Sequence, residues 1–135
     1  MSLSSASLQA ALAASVQAAE AIGVSVNIAL VDAGGNLAAF VRMPGAFLAS
    51  IDIAIDKAWT ASSFGMSTAA FAAMLESESA MVRDGLMSRP RVAAFPGGHP
   101  IRPDGAMLGG IGVSGASAAQ DDSIALAGLT ALMET

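Results

Sequence analysis

Hydrophobic and polar positions change period several times along the chain, and each change marks an element. From Ser4 to Ile22 an alanine-rich stretch carries Leu8, Leu12, Ala19 and Ile22 on a helical repeat, and Gly23 supplies a stop; this predicts an amphipathic helix with a small-residue surface. The next stretch, VSVNIALVDAGGNLAAFVRM, places β-branched Val24, Val26, Ile28 and Val31 before a Gly34-Gly35-Asn36 turn and resumes with Leu37 to Met43. That is the pattern of an antiparallel hairpin, broken at its far end by Pro44 and Gly45.

Ser50 is placed as the N-cap of a helix running to Phe64 and stopped by Gly65, and Ser67 opens a further helical segment through about Glu78. Around ESAMVRDGLMSRPR the pattern weakens to a short helix and a loop. Two more strands are predicted, His99 to Arg102 and Ala106 to Ser114, set between turns at Pro96-Gly97-Gly98 and Pro103-Asp104-Gly105. Ser117, with Gln120 three residues on, forms an S-x-x-Q capping box for a final helix. Helix, hairpin, helices, hairpin, helix is the order of an α+β domain, an antiparallel β-sheet flanked by helices.

Inside this pattern lies GIGVSG, residues 110–115, which spells the G-x-G-x-x-G string of a dinucleotide site. Such a site opens a βαβ unit with an acidic residue roughly 20 residues further on. Between Gly115 and Thr135 there is room for one helix, so no dinucleotide site is expected. A hydrolase nucleophile elbow, G-x-S-x-G, is equally poorly matched: Ala116 replaces the last glycine, and the only histidine, His99, precedes the serine instead of following it. Glycines 109, 110 and 112 weaken a strand unless another backbone or a ligand comes close.

Composition changes the picture in one respect. Apolar residues make up 54% of the chain and charged ones 13%, against a usual charged share of about 25%. A single domain over residues 1–135 with so few polar groups is expected to bury a face against copies of itself, as a homo-oligomer, or against an apolar ligand. A membrane span is not expected, because the best candidate stretch is interrupted by Gln17, Glu20, Gly23 and Asn27. The first basic residue is Arg42, too late for the n-region of a secretion signal, and there is no cysteine; a cytoplasmic location is expected. A net charge of −5 argues against nucleic acid, and Arg83, Arg89 and Arg91 are taken as a solvated hinge around Pro90. One histidine and no cysteine leave no metal site of the zinc type within one chain.

The remaining chemistry rests on few side chains. Lys57, the only lysine, shares a helical face with Ile53, Ala54, Thr60, Ala61 and Phe64, so it is either a snorkelling stem or a half-buried functional amine. Arg42 ends the second strand, where it could anchor a carboxylate or propionate, or pair with Asp32. His99, among glycines and prolines, could be a ligand, an acid–base group or a structural imidazole. Asp121 and Asp122 in the first turn of the last helix are explained by its dipole. Free N–H groups there, with Ser114 and Gly115 nearby, could hold an anion, although the two acids would repel it. Eight dispersed methionines suit a core and also a large flat apolar guest.

Four stretches, VDAGGNLAAFVRMPGA, SIDIAIDKAWTASSFG, FPGGHPI and GGIGVSGASAAQDDSIALAG, stand in an order and spacing that resembles the GlcG/HbpS-like proteins. These are small haem-binding or haem-associated domains that also form the carboxy-terminal part of PduO-type cobalamin adenosyltransferases. The resemblance covers nearly the whole chain. It implies a profilin-like sheet flanked by helices, an oligomer for which an octamer is one form, and haem or another tetrapyrrole as a ligand in some members. The family's recurring polar positions fall at Asp32, Arg42, Lys57, Thr60, Ser114 and Asp121. The chain departs from the pattern at His99, where an aliphatic residue is expected between the glycines and Pro100.

Two functional classes follow. One is an oligomeric small-molecule-binding domain for haem or a similar planar organic acid, with Arg42, Lys57, Thr60, His99 and Ser114 as ligand-binding residues and haem as the one cofactor considered. The other is an isomerase, hydratase or decarboxylase on a carboxylate substrate, anchored by Arg42, with Lys57 or His99 as the catalytic acid or base. A structural partner for a neighbouring enzyme is a third. Convergence of Arg42, Lys57 and His99 in one cleft is what separates an active site from scattered charge.

Overall fold

The computed structural model describes residues 2–135. Helix α1 (Ser5–Ala21) is followed by strands β1 (Asn27–Asp32) and β2 (Leu37–Arg42), then helices α2 (Ala49–Phe64), α3 (Thr68–Glu76) and α4 (Ala80–Met87). Strands β3 (Gly98–Ile101) and β4 (Gly109–Ser114) flank a short 3-10 turn at Pro103–Gly105, and α5 (Ala118–Met133) closes the chain. The four strands form one sheet in the order β2-β1-β4-β3, every neighbouring pair antiparallel. This is the α+β arrangement expected, an antiparallel sheet flanked by helices.

Strand alternation divides the core into two layers. Ile28, Leu30, Ile111 and Val113 point to one face and pack with Ala11, Ala19, Ile124 and Leu132 of α1 and α5. Ala29 and Val31 point to the other and meet Ala54 and Ala58 of α2. On that second face β4 and β3 carry Gly110, Gly112 and Gly98. A Cβ at these positions would run into the backbone oxygens of Ala58, Ala54 and Lys57 respectively. The glycine string therefore lets a helix backbone lie directly on the sheet, which is the close approach such a strand requires. Small residues do the same for α1 and α5, where Ser15 Oγ donates to Ile124 O at 2.8 Å and Gly128 faces Ser15.

Three local expectations are corrected. Helix α2 begins at Ala49, with Leu48 at the cap position already in helical conformation and making no side-chain cap bond; Ser50 lies inside the helix and is buried. The chain is already turning there, since Ser50 N–H donates to Phe47 O and Ile51 N–H to Leu48 O. The flanking strands are shorter than predicted, β1 starting at Asn27 and β4 at Gly109. Asp32 ends β1 and braces the β1–β2 turn, its Oδ1 accepting from the backbone N–H of Gly34 and Asn36, both at 3.0 Å. The Asn36 N–H above all holds this carboxyl below the ordinary carboxylate range. Arg42 pairs in register with Asn27, at the opposite end of β1, so no Asp32–Arg42 ion pair forms. Among the described residues, no helix is long and apolar enough to cross a membrane.

Candidate functional site

The only lysine heads the fully buried side chains by volume among the described residues. Lys57 is fully buried on the sheet side of α2, where neighbouring Ala54, Ala58 and Ala61 leave room for its stem. Its Nζ donates to Val113 O at 2.8 Å and to Asp121 Oδ2 at 3.2 Å, and lies 4.6 Å from the centre of the Phe95 ring. Burial pushes the Lys57 pKa down, and the Asp121 carboxylate, with a smaller contribution from Asp122, pulls it back up. Asp121 is itself buried, and its second oxygen accepts from Ala116 N–H at 2.9 Å. The amine thus does not snorkel; it ties α2 to the end of β4 and the start of α5.

His99 approaches the same helix start from β3. Its register partner is Ile111, which places it on the α5 side of the sheet. Nε2 is 2.8 Å from Asp122 Oδ1, and the imidazole is 13% exposed. Consecutive carboxylates, Asp121 and Asp122, therefore hold Lys57 and His99, and the structure brings these two sequence-predicted residues together. Sequence reasoning treated the two acids as dipole partners of α5; their side-chain partners lie 64 and 23 residues away and carry no local signal.

Arg42 lies elsewhere. Strands β2 and β3 are opposite edges of the sheet, three strand spacings of about 4.8 Å apart, so roughly 14 Å separates Arg42 from His99 across the sheet. Arg42 is exposed and makes no ion pair among the described residues. Its row continues through Asn27 to Ser114, both buried. Asn27 Nδ2 donates to Phe47 O at 3.0 Å, while its Oδ1 is buried with no partner. Ser114 thus belongs with Arg42 in register, while the carbonyl of its neighbour Val113 belongs to the Lys57 cluster.

Thr60 organises the loop before β3. Its buried hydroxyl donates to Arg91 O at 2.9 Å and accepts from Ala93 N–H at 3.0 Å. As expected, the loop around Pro90 is solvated, residues 88–91 all being exposed, but its side chains also engage α2. The Arg91 guanidinium stacks 4.7 Å over the Trp59 ring and approaches Asp56 at 3.8 Å, and together with Arg89 it edges a cleft of about 340 Å³ between α2 and α4. Sequence reasoning passed over Trp59 and took Arg89 and Arg91 as solvated charge only; a lone tryptophan on a helix was the available signal. Among the described residues, no three His, Asp or Glu side chains gather as a metal site.

A family model described as haem-degrading protein HbpS-like matches residues 3–130. The chain is 36% identical over 132 residues to the corrinoid adenosyltransferase PduO of Citrobacter freundii, covering 98% of this chain but 39% of that protein. Among solved structures, protein ORFY of Klebsiella pneumoniae matches with a TM-score of 0.90 at 31% identity, covering 98% of this chain and 92% of that one. The PduOC:heme complex matches with a TM-score of 0.89 at 33% identity, covering 97% of this chain and 95% of that one.

Proposed function

The chain belongs to the HbpS-like family, and from that premise we propose that it is a cytoplasmic, homo-oligomeric binding domain for haem or a similar planar organic acid. The observation that carries this reading is the His99–Asp122 pair. A carboxylate 2.8 Å from Nε2 favours the tautomer with its proton there and leaves the Nδ1 lone pair for a ligand. Metal-binding imidazoles are commonly backed by a carboxylate in this way, which orients the ring and raises its basicity. Haem, when bound, supplies an iron that accepts a neutral imidazole. Phe95, 44% exposed beside the Lys57 cluster, offers apolar surface near the same helix start. The similarity to a relative solved with haem supports the ligand class.

Within this reading Lys57 and Thr60 position the frame, while His99 and Arg42 face ligand. One flat ligand cannot lie against both on a single copy, because they occupy opposite faces and opposite edges of the sheet. A site that uses both takes them from two copies of the chain. The carboxylate-enzyme reading would need Arg42 beside Lys57 or His99, and the geometry favours binding over it.

The test is a haemin titration followed at the Soret band, with wild type, His99→Ala and Asp122→Asn in parallel. Wild type should give a saturable stoichiometric shift, His99→Ala should lose or displace it, and Asp122→Asn should weaken binding by about 10- to 100-fold. Absence of a saturable shift in wild type overturns the haem reading; an unaltered His99→Ala titration overturns the role of His99.

A further inference from the structure

We infer that the cleft between α2, α4 and the 89–92 loop is a second, separate site, for a small planar aromatic carboxylate. It is lined by Trp59, Phe64, Leu86, Arg89, Arg91 and Val92, with Pro90 at its rim, and holds about 340 Å³. That is the low end of the range for small-molecule sites, the size of a one- or two-ring compound. It lies on the α2 side of the sheet, away from His99, and it goes beyond the haem reading without depending on it.

The walls select for flatness. The Trp59 ring is held from behind by the β1–β2 turn: Gly35 approaches so closely that a Cβ there would stand 2.8 Å from Cδ1 of the indole. Phe64, half-turned to solvent, stacks on buried Phe71 with ring centres 4.5 Å apart. These two aromatic residues, with Leu86 and Val92, give the cleft its apolar lining.

The rim selects for negative charge. Arg89 forms no ion pair or side-chain hydrogen bond among the described residues. Among the described residues, the one carboxylate within 4.0 Å of the Arg91 guanidinium is Asp56, at 3.8 Å from Nε, longer than a charge-assisted hydrogen bond. The terminal nitrogens of both guanidinium groups are therefore available for a bidentate carboxylate. In a chain of net charge −5, two arginines gathered at an apolar slot are a local reversal of sign.

The placement of Arg91 is built into the backbone. Its φ is +75°, a left-handed conformation that a residue with a side chain rarely adopts. It is held there by the two hydrogen bonds of buried Thr60 to Arg91 O and Ala93 N–H. The fold thus maintains a disfavoured conformation that carries a cation to the mouth of an aromatic slot, a pattern that recurs at functional sites.

Trp59 is the only tryptophan, so its emission reports on this cleft alone. Benzoate and 2-naphthoate should change Trp59 fluorescence saturably, with half-saturation at about 1 mM or below, as befits ligands of this size. Benzamide, of the same shape without the charge, should bind roughly tenfold more weakly or worse. Arg91→Gly removes the guanidinium and accommodates the left-handed backbone, and Arg89→Ala removes an exposed side chain; each should weaken benzoate by roughly tenfold. Haemin binding by either variant should be unchanged. Equal response to benzoate and benzamide, or no saturable response to either acid, overturns the site. Unchanged benzoate affinity in both arginine variants overturns the role given to the rim.

Discussion

Replacing Gly112 by alanine tests whether the alternate glycines of β4 exist for helix α2. The added Cβ would overlap Ala54 O and stand 2.5 Å from Ala58 N and 3.1 Å from Lys57 Cβ. Two of these three atoms are backbone, so no rotamer change relieves the contact; α2 must lift from the sheet. Overpacking a core commonly costs about 1–3 kcal/mol, and a backbone collision lies at the upper end, about 3 kcal/mol. Lifting α2 also loosens Ala54 and Ala58 from Ala29 and Val31 and lengthens the Lys57 bond to Val113 O.

At roughly 4 °C of melting temperature per kcal/mol for a chain of this size, Gly112→Ala should unfold about 12 °C below wild type. Gly85→Ala is the opposite control. Gly85 lies within α4, and nothing stands within 4 Å of its added Cβ, so alanine there should stabilise by about 0.5–1 kcal/mol. Thermal melts followed by far-ultraviolet circular dichroism, with urea midpoints at an unchanged slope, read both effects. A Gly112→Ala protein that melts within about 2 °C of wild type would show that α2 does not need this bare strand.

The buried cluster and the loop each give a further expectation. Lys57→Met leaves the buried Asp121 carboxylate with only the Ala116 N–H, and should cost about 3–5 kcal/mol in urea unfolding. Because burial lowers the Lys57 pKa in the folded chain, the unfolded chain binds more protons between that value and the ordinary lysine value. Wild type should therefore gain stability relative to Lys57→Met as pH rises through that window, and a difference independent of pH refutes the assignment. Thr60→Val removes the acceptor for Ala93 N–H and the donor to Arg91 O, which should cost about 1–3 kcal/mol and alter Trp59 emission as Arg91 leaves the ring. Unchanged emission and melting would refute the link between Thr60 and the cleft.

Local signals carried most of the fold. Ser117 caps α5 with Gln120 as its sequence predicts, and Ser67 caps α3 by accepting from Ala70 N–H. The signals failed where geometry comes from a distant strand or helix. Nothing near Arg42 or His99 tells that β2 and β3 become opposite edges, since that follows from β1 and β4 pairing at the centre. Nothing near Lys57 reveals that Asp121 reaches it, so a snorkelling stem and a functional amine had equal support. Arg91 is harder still, because a left-handed arginine contradicts the local preference that sequence reasoning uses, and only the buried hydroxyl of Thr60 accounts for it.

The glycine string shows what separates two readings of the same letters. In a phosphate-binding turn the glycines follow a strand, where the chain bends and N–H groups are free to converge on an anion. Here Gly110 and Gly112 lie within β4 and alternate with Ile111 and Val113, so the strand is apolar on one face and bare on the other. Their N–H and C=O groups belong to a central strand paired on both sides, with β1 and β3. A period of two places the glycines toward one neighbour, and the alanines at 54, 58 and 61 on α2 are the complementary surface, four and three residues apart on a single helical face. Alternation with β-branched residues on the strand, matched by small residues at helical spacing elsewhere in the chain, is therefore the readable mark of a helix seated on a sheet.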